Sequence, residues 1–352
     1  RPLPNMGHRR GLAAHLLAEL AARLRAGGAL LGALDAAIAC VGDVRAALDA
    51  IVRERPSDLD ARRALARFLE LHGDARRAWA HYGIVAFADA DDPAADRYVE
   101  VGAPGDPPPG VVEALAGPLA PILGPLTPLL EGFLASLQAY DGITPLEIDV
   151  VARARARIGG PYVHVLRMPV GGAEVTVENS VPPCVLVGNA ALSLPASEQV
   201  FLIVRALHSL RGGGAVLRKL DASEAVALFR TLAAMLSGEP PPAGPLTEAL
   251  RALPFRADLM DVASRRLIAA ELRHLADAGV ETAMRAAEQA SCRVALLLCR
   301  DVAGALRALA RVEAWAEPPE SAEARAALLV SSRTLADLAT FAVDEAPSLW
   351  RS

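Results

Sequence analysis

The chain has 352 residues, 53% hydrophobic and 22% charged, a content that supplies buried cores and excludes global disorder. A formal net charge of -5 gives no general attraction to nucleic acid. The length predicts two compact units, and a mean hydropathy of +0.30 raises the question of a membrane.

Ala and Leu dominate the apolar set while aromatics are only 4%, a bias toward helix. Of the 36 basic residues, Lys219 is the only lysine. Four cysteines (Cys40, Cys184, Cys292 and Cys299) lack CxxC spacing and so suggest neither a zinc knuckle nor a redox pair; Cys292 and Cys299, seven apart on one helical face, read as buried thiols, and a reducing cytoplasm is expected. The opening Arg1-Pro2-Leu3-Pro4, without initiator Met or the apolar run of a signal peptide, reads as a fragment of a longer chain or a processed one.

In chain order, Leu12, Leu16, Leu17, Leu20 and Leu24 recur at helical spacing and predict a first helix that breaks at Gly27-Gly28. A second is expected over 30–41 and a third ending near Arg53. Pro56-Ser57-Asp58 opens a fourth, with Leu59, Arg62, Leu65, Ala66 and Leu69 facing inward. Gly73-Asp74 turns the chain, and Ala78 and Tyr82 lie on the returning helix. With small residues at Ala66 and Ala78, this hairpin resembles a tetratricopeptide unit in which Arg62 replaces the usual Trp. Residues 42–47 look like the end of a preceding unit. The expectation for residues 1–90 is a helical-repeat arm, with an ordinary helical hairpin as the alternative.

Residues 91–125 read as a Pro/Gly-rich connector, with Pro93, Pro104, Pro107, Pro108 and Pro109 among acidic residues and glycines. The uncharged stretch 114–130 is shorter than the ~20 residues that span a bilayer. It also carries Pro118, Pro121, Pro125 and Pro128, so it predicts a buried or groove-lying connector.

Residues 126–352 predict a second domain. Helices over 126–140 and 145–158 lead to alternating runs at 162–166 and 174–178, joined by a hairpin or short loop at Gly171-Gly172. A third apolar run covers 184–188. Ser197 predicts an N-cap and Glu198 a first-turn acid for an apolar helix that ends at Gly212-Gly213-Gly214. Leu328, Leu335, Leu338 and Phe341 recur at helical spacing and predict final helices that cap this domain, with Trp350 packing back on it or marking an interface. The fold class expected is mainly α with a small β-sheet (α+β) of about three short strands.

The order helix, small sheet, apolar helix resembles the catalytic core of gluzincin metallopeptidases of the HtpX and CAAX-prenyl-protease type, over roughly residues 126–312. In that family a strand reading V-x-V-G-x-x-L-L precedes a helix that begins S-x-x-E-L and carries HExxH. The counterparts are Val185 to Leu192, with Gly188 at the glycine, followed by Pro195 to Gln199. Counting onward puts the motif window at Val204 to His208. Such a site needs two imidazoles four apart for zinc and a carboxylate beside the first to act on the metal-bound water. Here Val204 stands for the first imidazole and Arg205 for the carboxylate, and only His208 remains. The family's third ligand comes from a later E-x-x-x-D-R pattern. Glu288 takes its ligand position, and Cys292 stands where the Asp would be.

The resemblance implies a vestigial site at Val204, Arg205, His208, Glu288 and Cys292, with no catalytic residue, metal or cofactor. His208 is expected to hydrogen-bond Glu288 or a carbonyl, and Arg205 is harmless to a metal only if it faces outward. The function implied is a pseudo-enzyme: a non-catalytic interaction or scaffolding module, as in large repeat proteins of myxobacteria-like bacteria. Its partner would be a protein or peptide in the cytoplasm, with no nucleic acid and no membrane. Two alternatives stand beside it. One is a zinc-dependent hydrolase with an atypical His208/Glu288/Cys292 site; the other is a membrane-peripheral factor using the apolar segment 111–134. Neither a nucleophile elbow nor a phosphate-cradling glycine loop is present in the sequence.

Overall fold

The computed structural model describes residues 44–135, 142–159, 162–169, 172–211, 213–253, 258, 260–314 and 319–350. The helices expected over 12–24 and 30–41 lie outside them, as does Cys40. The chain divides into two compact units. The first runs to Pro104 and takes back Pro319–Pro347; the second is Gly105–Pro318 with residues 348–350. The fold is mainly α with a small four-stranded mixed sheet.

Unit one begins with α1 (Val44–Glu54), α2 (Leu59–Leu71), α3 (Ala75–Ala88) and α4 (Pro93–Val101). Asp58 caps α2, its carboxylate accepting from the Ala61 N–H at 2.9 Å. Gly73, at φ 82°, takes the left-handed conformation that turns α2 into α3. Ala66 and Ala78 are fully buried at the α2–α3 contact, and Leu48, Leu65, Leu69 and Val85 complete that core. The region expected as a connector from residue 91 begins instead with α4. The Asp92 carboxylate accepts from the Ala94 N–H at 2.8 Å, and Pro93 occupies the first turn, where its missing N–H leaves no bond unmade.

In unit two the strands are β1 (Thr144–Pro145), β2 (His164–Met168), β3 (Val175–Glu178) and β4 (Cys184–Gly188), in the spatial order β1-β2-β4-β3. β4 runs parallel to β2, with Val165 opposite Val185, and antiparallel to β3, with Val177 opposite Val185. The hairpin expected between β2 and β3 is therefore absent. All five residues of β4 are buried, as a continuous apolar run in a central strand should be, and β4 inserts between the other two. Gly188 lies so close to the preceding loop that a Cβ there would stand 2.3 Å from Gly172 O. The edge strand β3 ends at Glu178, buried and ion-paired with Lys219, whose ammonium also donates to Leu134 O at 2.6 Å.

Six longer helices complete unit two: α5 (Asp149–Ile158), α6 (Ala196–Arg211), α7 (Ala222–Ser237), α8 (Val262–Ala278), α9 (Val280–Cys299) and α10 (Val302–Ala314). α6 is buried on every side from Phe201 to Leu210, and packs on α5, α9, α10, β3 and β4. A helix covered on every side lies in the core, so its polar residues Arg205 and His208 are enclosed with it. The helix expected over 126–140 does not form in the described residues. Gly124–Leu129 is a 3-10 stretch containing Pro128, and turns follow through Gly132 at φ 78°. Its neighbours Leu119, Ile122, Leu123, Leu126, Leu129 and Phe133 are buried against α7 and α8, so most large apolar side chains of segment 111–134 are spent inside the unit.

The chain then returns to unit one with α11 (Ala322–Ser331) and α12 (Arg333–Asp344), both packed on α3. Arg325 Nε donates to Ala88 O at 2.6 Å. These helices were expected to cap the second domain; the apolar stripe Leu335, Leu338 and Phe341 marks a buried face without naming what covers it. Residues 348–350 lie back in unit two, where Trp350 Nε1 donates to Leu297 O at 3.2 Å. Among the described residues no single helix is long and apolar enough to cross a membrane.

Candidate functional site

α6 follows Pro195 and is anchored at its start. Ser197, expected as the N-cap, lies inside the first turn, and its hydroxyl donates to Asp301 Oδ2 at 2.6 Å. Glu198 does occupy the first turn, where the helix dipole favours an anion. Buried there, it accepts from Arg307 Nε at 3.0 Å and Arg311 Nε at 3.3 Å, tying α6 to α10. The geometry of the far end of α6 depends on this fixed start.

Residues three and four apart share one side of a helix. Positions 205 and 208 therefore lie together on α6, as do 288, 291 and 292 on α9, and these two helices pack on each other. The structure brings Arg205, His208, Glu288 and Cys292 into one neighbourhood, with Val204 buried as an ordinary core residue.

Arg205 faces inward. Its Nε donates to Glu288 Oε1 at 2.8 Å, and its Nη2 bonds the same oxygen. Arg218 Nη2 reaches Glu288 Oε2 at 3.2 Å. Burial alone would raise the Glu288 carboxyl, but the guanidiniums of Arg205 and Arg218 hold it below the usual carboxylate range. Burial likewise draws Arg205 down, and Glu288 beside it more than reverses this, leaving Arg205 above its ordinary value. Cys292 Sγ stands 4.0 Å from Glu288 Oε1. Burial pushes its thiol up to about 12, so it keeps its proton at neutral pH and is no nucleophile.

His208 is 3% exposed. Its Nδ1 lies 3.1 Å from Ser291 Oγ, whose hydroxyl donates to Ala287 O at 3.1 Å. With that proton committed, the network assigns His208 the Nδ1–H tautomer. Among the described residues its buried Nε2 has no hydrogen-bond partner. Burial, with Arg211 adding to it, lowers the pKa of the ring to about 4, so it is neutral at pH 7. The expected partners of His208, Glu288 or a carbonyl, give way to Ser291, because Glu288 is taken by two arginines.

A cleft of about 180 Å³ opens beside these groups. His208, Ser291, Arg218 and Glu288 contribute polar lining, and Ala116, Ala120, Leu217, Met284 and Ala287 form apolar walls. Sequence reasoning missed Ser291 and Arg218. Ser291 lies inside the Glu288 to Arg293 window but at a spacer position, and nothing local to Arg218 signals a carboxylate 70 residues away.

The zinc ion that members of the resembled family hold does not fit these residues. Glu288 is neutralised by two guanidiniums, Cys292 retains its proton, and Val204 offers no donor. Among the described residues no group of three or more His, Cys, Asp or Glu is placed to hold a metal. An imidazole near pKa 4 is also a weak base at neutral pH. The arrangement supplies charge pairing and hydrogen-bond capacity without an activated base or nucleophile. Compared with protein-family models, curated proteins and solved structures, the chain matches none.

Proposed function

We propose that the protein is a non-catalytic interaction module, in which a metallopeptidase-like helix pair has exchanged its metal for an internal cation. One observation carries this reading: the Arg205 guanidinium bonds Glu288, the carboxylate at the position where the resembled family binds zinc. A guanidinium satisfies a carboxylate's charge and geometry, but it cannot polarise a water for attack. The neutral His208 and protonated Cys292 add no base or nucleophile. The open cleft beside them leaves room for recognition without chemistry.

The test is zinc content. Protein purified without chelator should carry well under about 0.1 zinc per chain, since a catalytic-type site needs three protein ligands. About one zinc per chain, lost on His208→Ala, would support the hydrolase alternative instead. The reciprocal experiment rebuilds the ligands: Val204→His combined with Arg205→Glu should raise zinc toward one per chain. No gain in a folded double variant would sink the correspondence between residues 204–208 and the metallopeptidase motif.

A further inference from the structure

We infer that the cleft beside His208 binds a small, uncharged apolar molecule of the size of a substituted benzene. The inference rests on the metal-free reading above and names the ligand class of that same site.

Three observations carry it. The first is charge. The lining holds one cation, Arg218, and one anion, Glu288, bonded to each other at 3.2 Å, beside a His208 ring that is neutral at pH 7. The wall therefore presents no net charge to an occupant. The second is the state of the other polar side chains. Ser209 Oγ donates to Ala206 O at 2.7 Å and Ser291 Oγ to Ala287 O at 3.1 Å, while His208 Nδ1 is taken by Ser291. The remaining nitrogen of that ring, Nε2, lies beneath the surface of the wall, out of an occupant's reach. The third is the space and its borders. Ala116, Ala120 and Ala287 reach into the cleft with nothing longer than a methyl group, leaving about 180 Å³ bordered by Leu217 and Met284. That is near the volume of a cavity that holds benzene, about 150 Å³. Met284 is unbranched with a polarizable thioether, a side chain that adapts to the outline of a ring.

These features select among ligand classes. An ion of either sign meets no unanswered charge in the lining and forfeits its hydration on entering. A sugar or a peptide backbone brings hydrogen-bonding groups that the committed serines do not pair, and each group left unpaired costs affinity. An uncharged apolar molecule asks neither of the wall. It displaces water from the methyl-lined side, which is favourable in proportion to the apolar area covered. The occupant that fits all three observations is therefore a free molecule, not the side chain of a partner peptide.

The experiment titrates toluene into the full chain labelled with ¹³C-methyl methionine and follows the Met284 methyl resonance, assigned by its loss in Met284→Leu. A saturable shift with a midpoint in the submillimolar to low millimolar range is expected of so small a ligand. Benzoate and benzylammonium keep the ring and add a charge of either sign; each should bind at least about tenfold more weakly. A peptide with blocked ends and a central phenylalanine offers the ring as a side chain, and it too should bind at least about tenfold more weakly. Ala120→Leu fills the cleft without touching a charged group and should abolish the shift in folded protein. Ala116→Leu, on the same apolar lining, repeats the test where the first variant does not fold. No saturable shift, binding that survives the filling substitution, or a charged analogue or peptide that binds as well as toluene overturns the inference. Zinc is measured on the same sample. Stoichiometric zinc overturns the metal-free reading, whereas zinc-free protein that gives no shift overturns this one alone.

Discussion

Arg62 in the first unit and Arg205 in the second are both buried arginines, and their surroundings drive them in opposite directions. Arg62 is 5% exposed on α2, its Nε donates to Pro56 O at 2.9 Å, and among the described residues it has no ion pair. Burial lowers its pKa to about 10, with Asp58 offsetting only part. Arg205 is 9% exposed, bonds Glu288 directly, and is held above its ordinary value. A backbone carbonyl satisfies a guanidinium's hydrogen bond without neutralising its charge; a carboxylate does both. The contrast separates a tolerated cation from one built into a site.

The largest effect should come from deleting the carboxylate. Glu288→Gln leaves Arg205 buried against a neutral partner and is expected to cost about 3 kcal/mol, read as a lower urea midpoint at constant slope. Wild-type stability in this variant would show that the pair is incidental.

Next comes acid sensitivity, which both units share through buried histidines. His208 titrates at about 4 and His81 at about 3 in the folded chain, against 6.5 for the free side chain. Burial is the leading cause in each. The unfolded chain takes up these protons first, so their contribution is complete above pH 6.5 and is lost as pH falls toward the folded values. For His208 the loss approaches roughly 3 kcal/mol, at about 1.4 kcal/mol per pH unit. His208→Asn keeps a donor for Ser291 while removing the titration. It should flatten the dependence of stability on pH between 6.5 and 4, leaving the share due to His81. An unchanged slope would remove His208 from the account.

Smaller effects sharpen the original contrast. Arg205→Met leaves Glu288 with Arg218 as its one cation, and a loss of about 1–2 kcal/mol is expected. Arg62→Met removes a buried charge without orphaning a carboxylate and should fall within about 1 kcal/mol of wild type, on either side. Equal losses at the two positions, measured by chemical unfolding, would erase the distinction drawn between them.

The sequence alone conveyed what depends on nearby residues. The α2–Gly73–α3 hairpin follows from apolar spacing and a turn glycine, and the buried run of β4 from its unbroken apolar residues. Helical spacing likewise put 205 with 208 and 288 with 292. Partnership across long separations was not legible. Alternation in β2 and β3 says nothing about β4 lying between them, and the stripe on α12 does not name α3 as its cover. The inward turn of Arg205 depends on a glutamate 83 residues away, and its second cation, Arg218, comes from another segment again. Pro93 misled for a local reason: the same residue that breaks a helix in its middle starts one at its first turn.

The pairing of Lys219 with Glu178 gives the molecule a built-in chemical reporter. Lys219 is the chain's single lysine, and so its one side-chain amine. Acylating reagents attack the uncharged, disengaged form of such a group, whereas this ammonium is held by a buried carboxylate and by Leu134 O. Covalent mass gained at residue 219 therefore counts the molecules whose β3 edge has come apart, one modification per opening, with no competing lysine to confuse the record.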